Sequence, residues 1–184
     1  MDSQIIILGY SGHSYVVIEA LQNSGYMIGG YVETALKVYN PYQLNYLGDD
    51  KWLNTQPAQN IFVAIGDNSI RRKLFEKFSN HHFINAIHHN SIISKTAQLN
   101  KGILVAAGVV INPLVKIGDG AICNTQCSID HECIIHDFAH IAPGAVLCGG
   151  VNIGKNTFVG ANSVIKEGVK IGADVVIGAG SVIV

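Results

Sequence analysis

Three ionisable residues stand side by side at Asp130-His131-Glu132, at the end of the segment Asn124-Thr125-Gln126-Cys127-Ser128-Ile129. An imidazole titrates near neutral pH, so His131 can take a proton from an amine or a hydroxyl. A neighbouring carboxylate can orient the ring and stabilise its cation. These are the parts of a general base, although the same residues would also make a solvated turn of adjacent charges; residue type alone leaves both readings open. A second candidate is the turn Gly9-Tyr10-Ser11-Gly12, between an apolar run and an amphipathic stretch. Helix N-termini attract anions, and glycine lets a backbone approach a phosphate. The turn lacks the full G-x-G-x-x-G, which argues against NAD, while Glu33 falls about where a Rossmann domain holds a ribose.

The elements that must hold Asp130-His131-Glu132 obey one rule. Every sixth residue from Ile93 to Ile183 is Ile, Leu or Val, with Cys123 the one exception, and two residues before each stands a small or β-branched side chain. Gly or another turn-favouring residue often follows, as at Gly118, Asn124, Gly154 and Gly160. A helix would repeat its apolar residues every 3.6 positions. A period of six is that of a left-handed parallel β-helix, in which three hexapeptides make one triangular coil of about eighteen residues. The stretch therefore predicts about five stacked coils. Asp130, His131 and Glu132 point outward in this register, and Gly149 lies beside His131 on the neighbouring coil. The frame never slips, so no long loop protrudes, and a ligand must be held by flat faces, the first domain or a neighbouring subunit.

The first half alternates strand and helix. Ile5-Ile6-Ile7-Leu8 reads as a buried parallel strand, followed by a helix from His13 to Asn23 closed by Gly25. Further strands are expected over about 27–32, 61–65 and 83–87, with a helix over 70–78 capped by Asp67 or Asn68. The predicted architecture is α/β plus all-β: a small Rossmann-like domain over 1–88, followed by the β-helix over 89–184.

Composition agrees. A net charge of −1 with few charged residues gives no electrostatic footprint for nucleic acid or an anionic membrane. The first residues carry no basic run and the apolar stretch ends at Gly9, so neither a signal peptide nor a membrane span is expected, and the location is cytoplasmic. Cys123, Cys127, Cys133 and Cys148 have no zinc-type spacing, and three of them take core positions of the repeat as small buried hydrophobes.

The run from Asn124 through Asp130-His131-Glu132-Cys133 to His140, then Cys148-Gly149-Gly150-Val151-Asn152-Ile153-Gly154, resembles the bacterial sugar O- and N-acyltransferases. So do Gly9-Tyr10-Ser11-Gly12-His13 and Ile65-Gly66-Asp67-Asn68-Ser69-Ile70-Arg71-Arg72-Lys73, so the similarity spans nearly the whole chain. The resemblance implies an acetyl-CoA-dependent N-acetyltransferase acting on a nucleotide-linked 4-amino-4,6-dideoxy sugar by direct attack. His131 would be the base, Glu132 its partner, and no metal would take part. Gly9, Ser11, Gly12, His13, Glu33, Asp67, Asn68, Asn124 and Asp130 would contact the nucleotide sugar. His140, Gly149 and Gly160 would contact acetyl-CoA, with the Gly149 amide as oxyanion donor. A homotrimer would place the coenzyme between two β-helices. The resemblance also implies a C-terminal Gly-Xaa-Pro-Ala element, whereas the chain as given ends at Val184 within a hexad.

Three rival readings stand beside it. His131 and His136 have the five-residue spacing of β-helix zinc enzymes, but the position where a third ligand is expected holds Lys95. His131 could instead deprotonate a hydroxyl, giving an O-acetyltransferase of a sugar such as sialic acid. Finally, the β-helix could be a non-catalytic scaffold.

Overall fold

The computed structural model describes residues 4–184, so the expectation about the first residues lies largely outside it. The first domain is a parallel sheet of β1 (Ile5–Leu8), β2 (Ile28–Val32), β3 (Tyr46–Gly48), β4 (Asn60–Val63) and β5 (His82–Phe83), ordered β3-β2-β1-β4-β5. Helices α1 (Gly12–Asn23), α2 (Asp50–Asn54) and α3 (Asn68–Lys77) complete it. The strand order reverses between β1 and β4, which is where parallel sheets open a ligand crevice. Sheet alternation explains the unbroken apolar run of β1: Ile5 and Ile7 pack into one cluster, while Ile6 and Leu8 pack into another.

Two elements were not legible as regular structure, the short β3 and α2. The expected fourth strand over 83–87 also divides. His82–Phe83 extends the first sheet, whereas Ala86–Ile87 pairs with Leu104–Val105 and opens the β-helix. Asn85 makes the division possible, because its side chain accepts from Ile103 N–H at 2.9 Å and donates to Asn100 O at 2.8 Å, anchoring the crossing chain.

From Ala86 onward the chain is the left-handed parallel β-helix that the hexads predict. Its three faces carry six, six and five short strands, and every pairing joins residues eighteen apart, such as Val110 with Ser128 and Lys116 with Ile134. Face one holds Leu104, Ile122, His140 and Phe158 on its outer side, face two Val110, Ser128, Val146 and Val164, and face three Gln98, Lys116, Ile134 and Asn152. The inward column runs through Val105, Ile111, Ile117, Cys123, Ile129, Ile135 and Ile141, all buried. Burying each such side chain contributes about 1.5–3 kcal/mol. Where small polar residues enter the column they are satisfied: Thr157 and Ser163 hydroxyls donate to Gly172 O and Gly178 O.

The first domain sits on face one. Helix α1 packs Val17, Ile18 and Leu21 into the same cluster as Leu104 and Ile122. Phe75 of α3 stacks on Phe83, at 3.7 Å between ring centres, and meets Phe138 edge-on at 5.3 Å. Gly102 permits this approach, since a Cβ there would lie 2.2 Å from Phe75 Cζ.

The register makes a testable contrast. Ile135→Ala, which empties a column position, lowers stability in urea by about 2–5 kcal/mol. Lys116→Ala, on the outer side of the same face, changes it by less than about 0.5 kcal/mol.

Candidate functional site

The corner between faces two and three holds Asp130, His131 and Glu132. His131 Nδ1–H donates to Glu132 Oε2 at 3.1 Å, which leaves Nε2 as the free basic nitrogen. The ring is accessible, with 57% of the side chain exposed. Asp130 does a different task. Its Oδ1 accepts from His131 N–H at 2.8 Å and from Asn112 Nδ2 at 2.8 Å, and these two bonds hold its pKa below the ordinary aspartate value. The carboxylate thus fixes the backbone that carries His131. Glu132 stands in the left-handed region at φ 60°, where the corners of the next coils have Gly150 and Gly168. A side chain has been kept at a position that glycine would fill with less strain.

Gly149 lies one coil further on, as the period requires. A Cβ on it would come within 2.5 Å of His131 Cε1 and 2.6 Å of Nε2, so the ring rests directly against this glycine. Among the described residues the Gly149 N–H has no acceptor, while its neighbour Gly150 N–H donates to His131 O at 2.8 Å. An unspent backbone donor therefore lies beside the free imidazole nitrogen, the arrangement needed to stabilise a developing oxyanion.

Other expected site residues gather elsewhere. Asn124 stands at the corner between faces one and two, where its Nδ2 faces His140 Nε2 at 3.1 Å. His140 Nδ1 faces Gly66 O at 3.4 Å, and the ring lies 4.9 Å from Phe158 and 6.2 Å from His13. Burial first, then Arg71 and His13, push His140 down to about 3; burial and then Arg71 push His13 down to about 4. Both rings are neutral at physiological pH, and among the described residues the buried His13 Nε2 has no partner. Gly160 is two coils beyond Asn124, its N–H bonded to Ile177 O.

The remaining expected contacts line the carboxyl ends of β1, β2 and β4. Ser11 and Gly12 are exposed at the start of α1, and Gly9 has φ 90°. Glu33 is half-buried. Burial pushes its carboxyl up, but N–H donation from Thr34 and Tyr10, with Lys37 alongside, outweighs this and lowers it. Asp67 and Asn68 have duties within the chain: Asp67 Oδ1 caps α3 by accepting from Ile70 N–H at 2.8 Å, and Asn68 Nδ2 donates to Asn156 O at 3.0 Å. Between this loop and Phe158 and Val176 of face one lies a cleft of about 540 Å³.

The residue that sequence reasoning missed is Arg71. It is 1% exposed and uses all five N–H donors, to Gly120 O, Phe138 O, Ile65 O, Gly66 O and Asn68 Oδ1. Burial lowers its pKa to about 10, with Asp67 opposing, so it stays cationic near neutrality. Nothing in the sequence marks an arginine that pairs with carbonyls. His131 and His136 stand on different corners, and among the described residues no group of three His, Cys, Asp or Glu could hold a metal ion. No helix among the described residues is long and apolar enough to cross a membrane.

A parallel α/β domain docked on one face of a hexapeptide β-helix, with a His–Glu pair at a far corner, defines a hexapeptide-repeat transferase. Residues 4–78 match the PglD N-terminal domain, and residues 150–184 match the bacterial transferase hexapeptide (six repeats). PerB from Caulobacter crescentus, solved in complex with CoA and GDP-perosamine, superposes with a TM-score of 0.93 at 37% identity, covering 100% of this chain and 90% of that one. The acetyltransferase domain of PglB from Neisseria gonorrhoeae FA1090, in complex with acetyl coenzyme A, gives 0.90 at 29% identity, covering 100% and 93%. GDP-perosamine N-acetyltransferase from Escherichia coli O157:H7 is 33% identical over 107 residues, 57% of this chain and 48% of that protein, so the match spans about half of that relative's length. The chain belongs to the bacterial sugar acyltransferase family.

The two buried histidines predict a pH dependence of stability. Their folded pKa values lie below the unfolded value of 6.5, so the unfolded chain binds more protons below that pH. Stability is complete above about pH 6.5 and falls as pH drops toward 4. Melting temperatures across this range will decrease on acidification, and His140→Asn will make the decrease shallower.

Proposed function

We propose that this chain is an acetyl-CoA-dependent N-acetyltransferase, acylating the amine of a nucleotide-linked 4-amino-4,6-dideoxy sugar. The observation that carries the proposal is the juxtaposition of His131 Nε2, oriented by Glu132, with the unbonded Gly149 N–H. The relatives that bind CoA and GDP-perosamine support the choice of donor and acceptor. In the proposed reaction the sugar amine attacks the thioester carbonyl carbon while His131 Nε2 takes a proton from that nitrogen. The Gly149 N–H donates to the tetrahedral oxyanion. Collapse breaks the carbon–sulfur bond, and the imidazolium returns its proton to the departing CoA sulfur. Transfer needs no covalent enzyme intermediate and no metal. Asn124 and His140 contact the coenzyme or the sugar, while Gly9, Ser11, Gly12, His13 and Glu33 hold the nucleotide at the strand ends. The reaction is assigned to the cytoplasm.

The active unit is proposed to be a trimer, and the three faces of the β-helix support this. Face one is covered at Leu104, Ile122 and His140 by the chain's own α/β domain, and face three presents Gln98, Lys116 and Lys170 to solvent. Face two instead presents an apolar stripe, with Ile92, Val164 and Val182 exposed and Val110 and Val146 half-buried. An uncovered stripe of this kind marks an interaction surface. In a single chain the nucleotide-binding loops sit against face one, while His131 stands at the opposite corner. A neighbouring copy seated on face two brings the His131 corner of one chain toward the Asn124 corner and α/β domain of another.

Thiol release from acetyl-CoA, measured with GDP-perosamine and a panel of amino and hydroxy nucleotide sugars, tests the proposal. Turnover is expected only with amine acceptors and drops about 10²–10⁴-fold in His131→Ala. Turnover only with hydroxyl acceptors would make the chain an O-acetyltransferase, and none with any acceptor would leave the scaffold reading. Gly149→Ala is expected to stay within about 1 kcal/mol of the parent in stability. Its methyl displaces the His131 ring, and turnover drops by about 10²-fold.

A further inference from the structure

We propose that Arg71 is a positioning residue of the transfer site: it fixes the Gly66 carbonyl and, through it, the orientation and tautomer of His140. The functional half of this rests on the acetyl-transfer reading; the structural half does not.

A chain of hydrogen bonds carries the inference, and each link restricts the next. Thr125 N–H donates to Asn124 Oδ1 at 2.8 Å, which assigns the amide oxygen to that side. The Asn124 NH₂ is then the group facing His140 Nε2 at 3.1 Å. An NH₂ only donates, so His140 Nε2 must present its lone pair and the proton must sit on Nδ1. Nδ1–H points to Gly66 O at 3.4 Å, and Gly66 O also accepts from Arg71 Nη1 at 3.0 Å. The far end of Arg71 is fastened to the β-helix, with Nε donating to Gly120 O at 2.7 Å and Nη2 to Phe138 O at 2.8 Å. Gly120 and Phe138 are eighteen residues apart, on successive coils. The guanidinium thus ties the end of β4 to the same β-helix that carries His140 and Asn124.

The choice of residue supports a positioning role. A domain contact alone is already made by apolar groups, Phe75 against Phe138. Burying a cation with no ion-pair partner among the described residues is costly, and lysine, with three donors on a single point charge, could not engage five acceptors spread around a plane. The five bonds fix carbonyl positions in a way that packing does not. Burial first, and Arg71 after it, depress the pKa of both His13 and His140, so His140 is neutral and its single proton has one place to go.

The test begins with the parent chain labelled with ¹⁵N-histidine. His140, assigned by its loss in His140→Asn, is expected to give one Nδ1–H tautomer that does not titrate between pH 8 and 5. An Nε2–H tautomer or a mixture would overturn the proposal. Arg71→Lys, which keeps the charge but loses the planar fork, is expected to give a folded chain with mixed His140 tautomers. Its kcat/KM for acetyl-CoA should fall by about tenfold or more. A parent-like His140 spectrum and parent-like kcat/KM in that variant would refute the role. Should Arg71→Lys not fold, Asn68→Ala removes one anchor of the guanidinium and is read in the same two ways. The NMR readout needs no turnover, so absence of acetyl transfer would sink the functional reading while the tautomer still decides the link between Arg71 and His140.

Discussion

The hydrogen-bond ladder between coils is the constraint from which the site follows. Ile92 N–H donates to Val109 O and Lys116 N–H to Cys133 O, while at the corners Glu132 N–H reaches back to Pro113 O and Gly150 N–H to His131 O. Such a ladder admits no slip, because a shift of one residue would turn every aliphatic side chain from the column to the solvent. Two consequences meet at His131. Its corner is rigid, held from both neighbouring coils, and the residue beside its ring is set by arithmetic to be Gly149. The His131 ring and the Gly149 backbone, eighteen residues apart, are brought into contact by strand register alone, without a loop that must order itself on binding.

Register also fixes which side chains stack along each face of the prism. Face three carries Gln98, Lys116 and Lys170 beside Ile134, face two carries an uncovered apolar stripe, and the first face receives the α/β domain. The joint at that first face combines two kinds of interaction. Phe75, Phe83 and Phe138 supply apolar area, and Arg71 supplies direction through carbonyls on two coils and at the end of β4. His13 and His140 lie in this joint as buried, neutral rings, whereas the His131 side chain is largely exposed.

From Ile93 onward the β-helix was legible in the sequence because its signal repeats: an error at one hexad is corrected by the next. The position of Gly149 beside His131 was legible for the same reason. The first domain was read less completely. Tyr46–Gly48 and Asp50–Asn54 are too short to show a period, and the stretch after Phe83 reads as one strand until the pairing of Ala86 with Leu104 reveals that it serves two sheets. The site was legible in its charged corner but not in its joint. Asp67 caps α3, as one of the two residues expected there, and Asn68 braces the β-helix, whereas Arg71 was given no role of its own because four of its five partners are backbone carbonyls. Side chains that act on carbonyls have no complementary residue type to find in a sequence.

We propose that one transfer site is assembled from His131 of one chain and the His140 joint of another. Mixing two inactive variants in one assembly, His131→Ala and His140→Ala, and refolding or co-expressing them tests it most directly. Turnover that neither variant shows alone is predicted, because some sites then combine an intact His131 corner with an intact His140 joint. Mixed assemblies as inactive as the separate variants would contradict the account and return the whole site to a single chain.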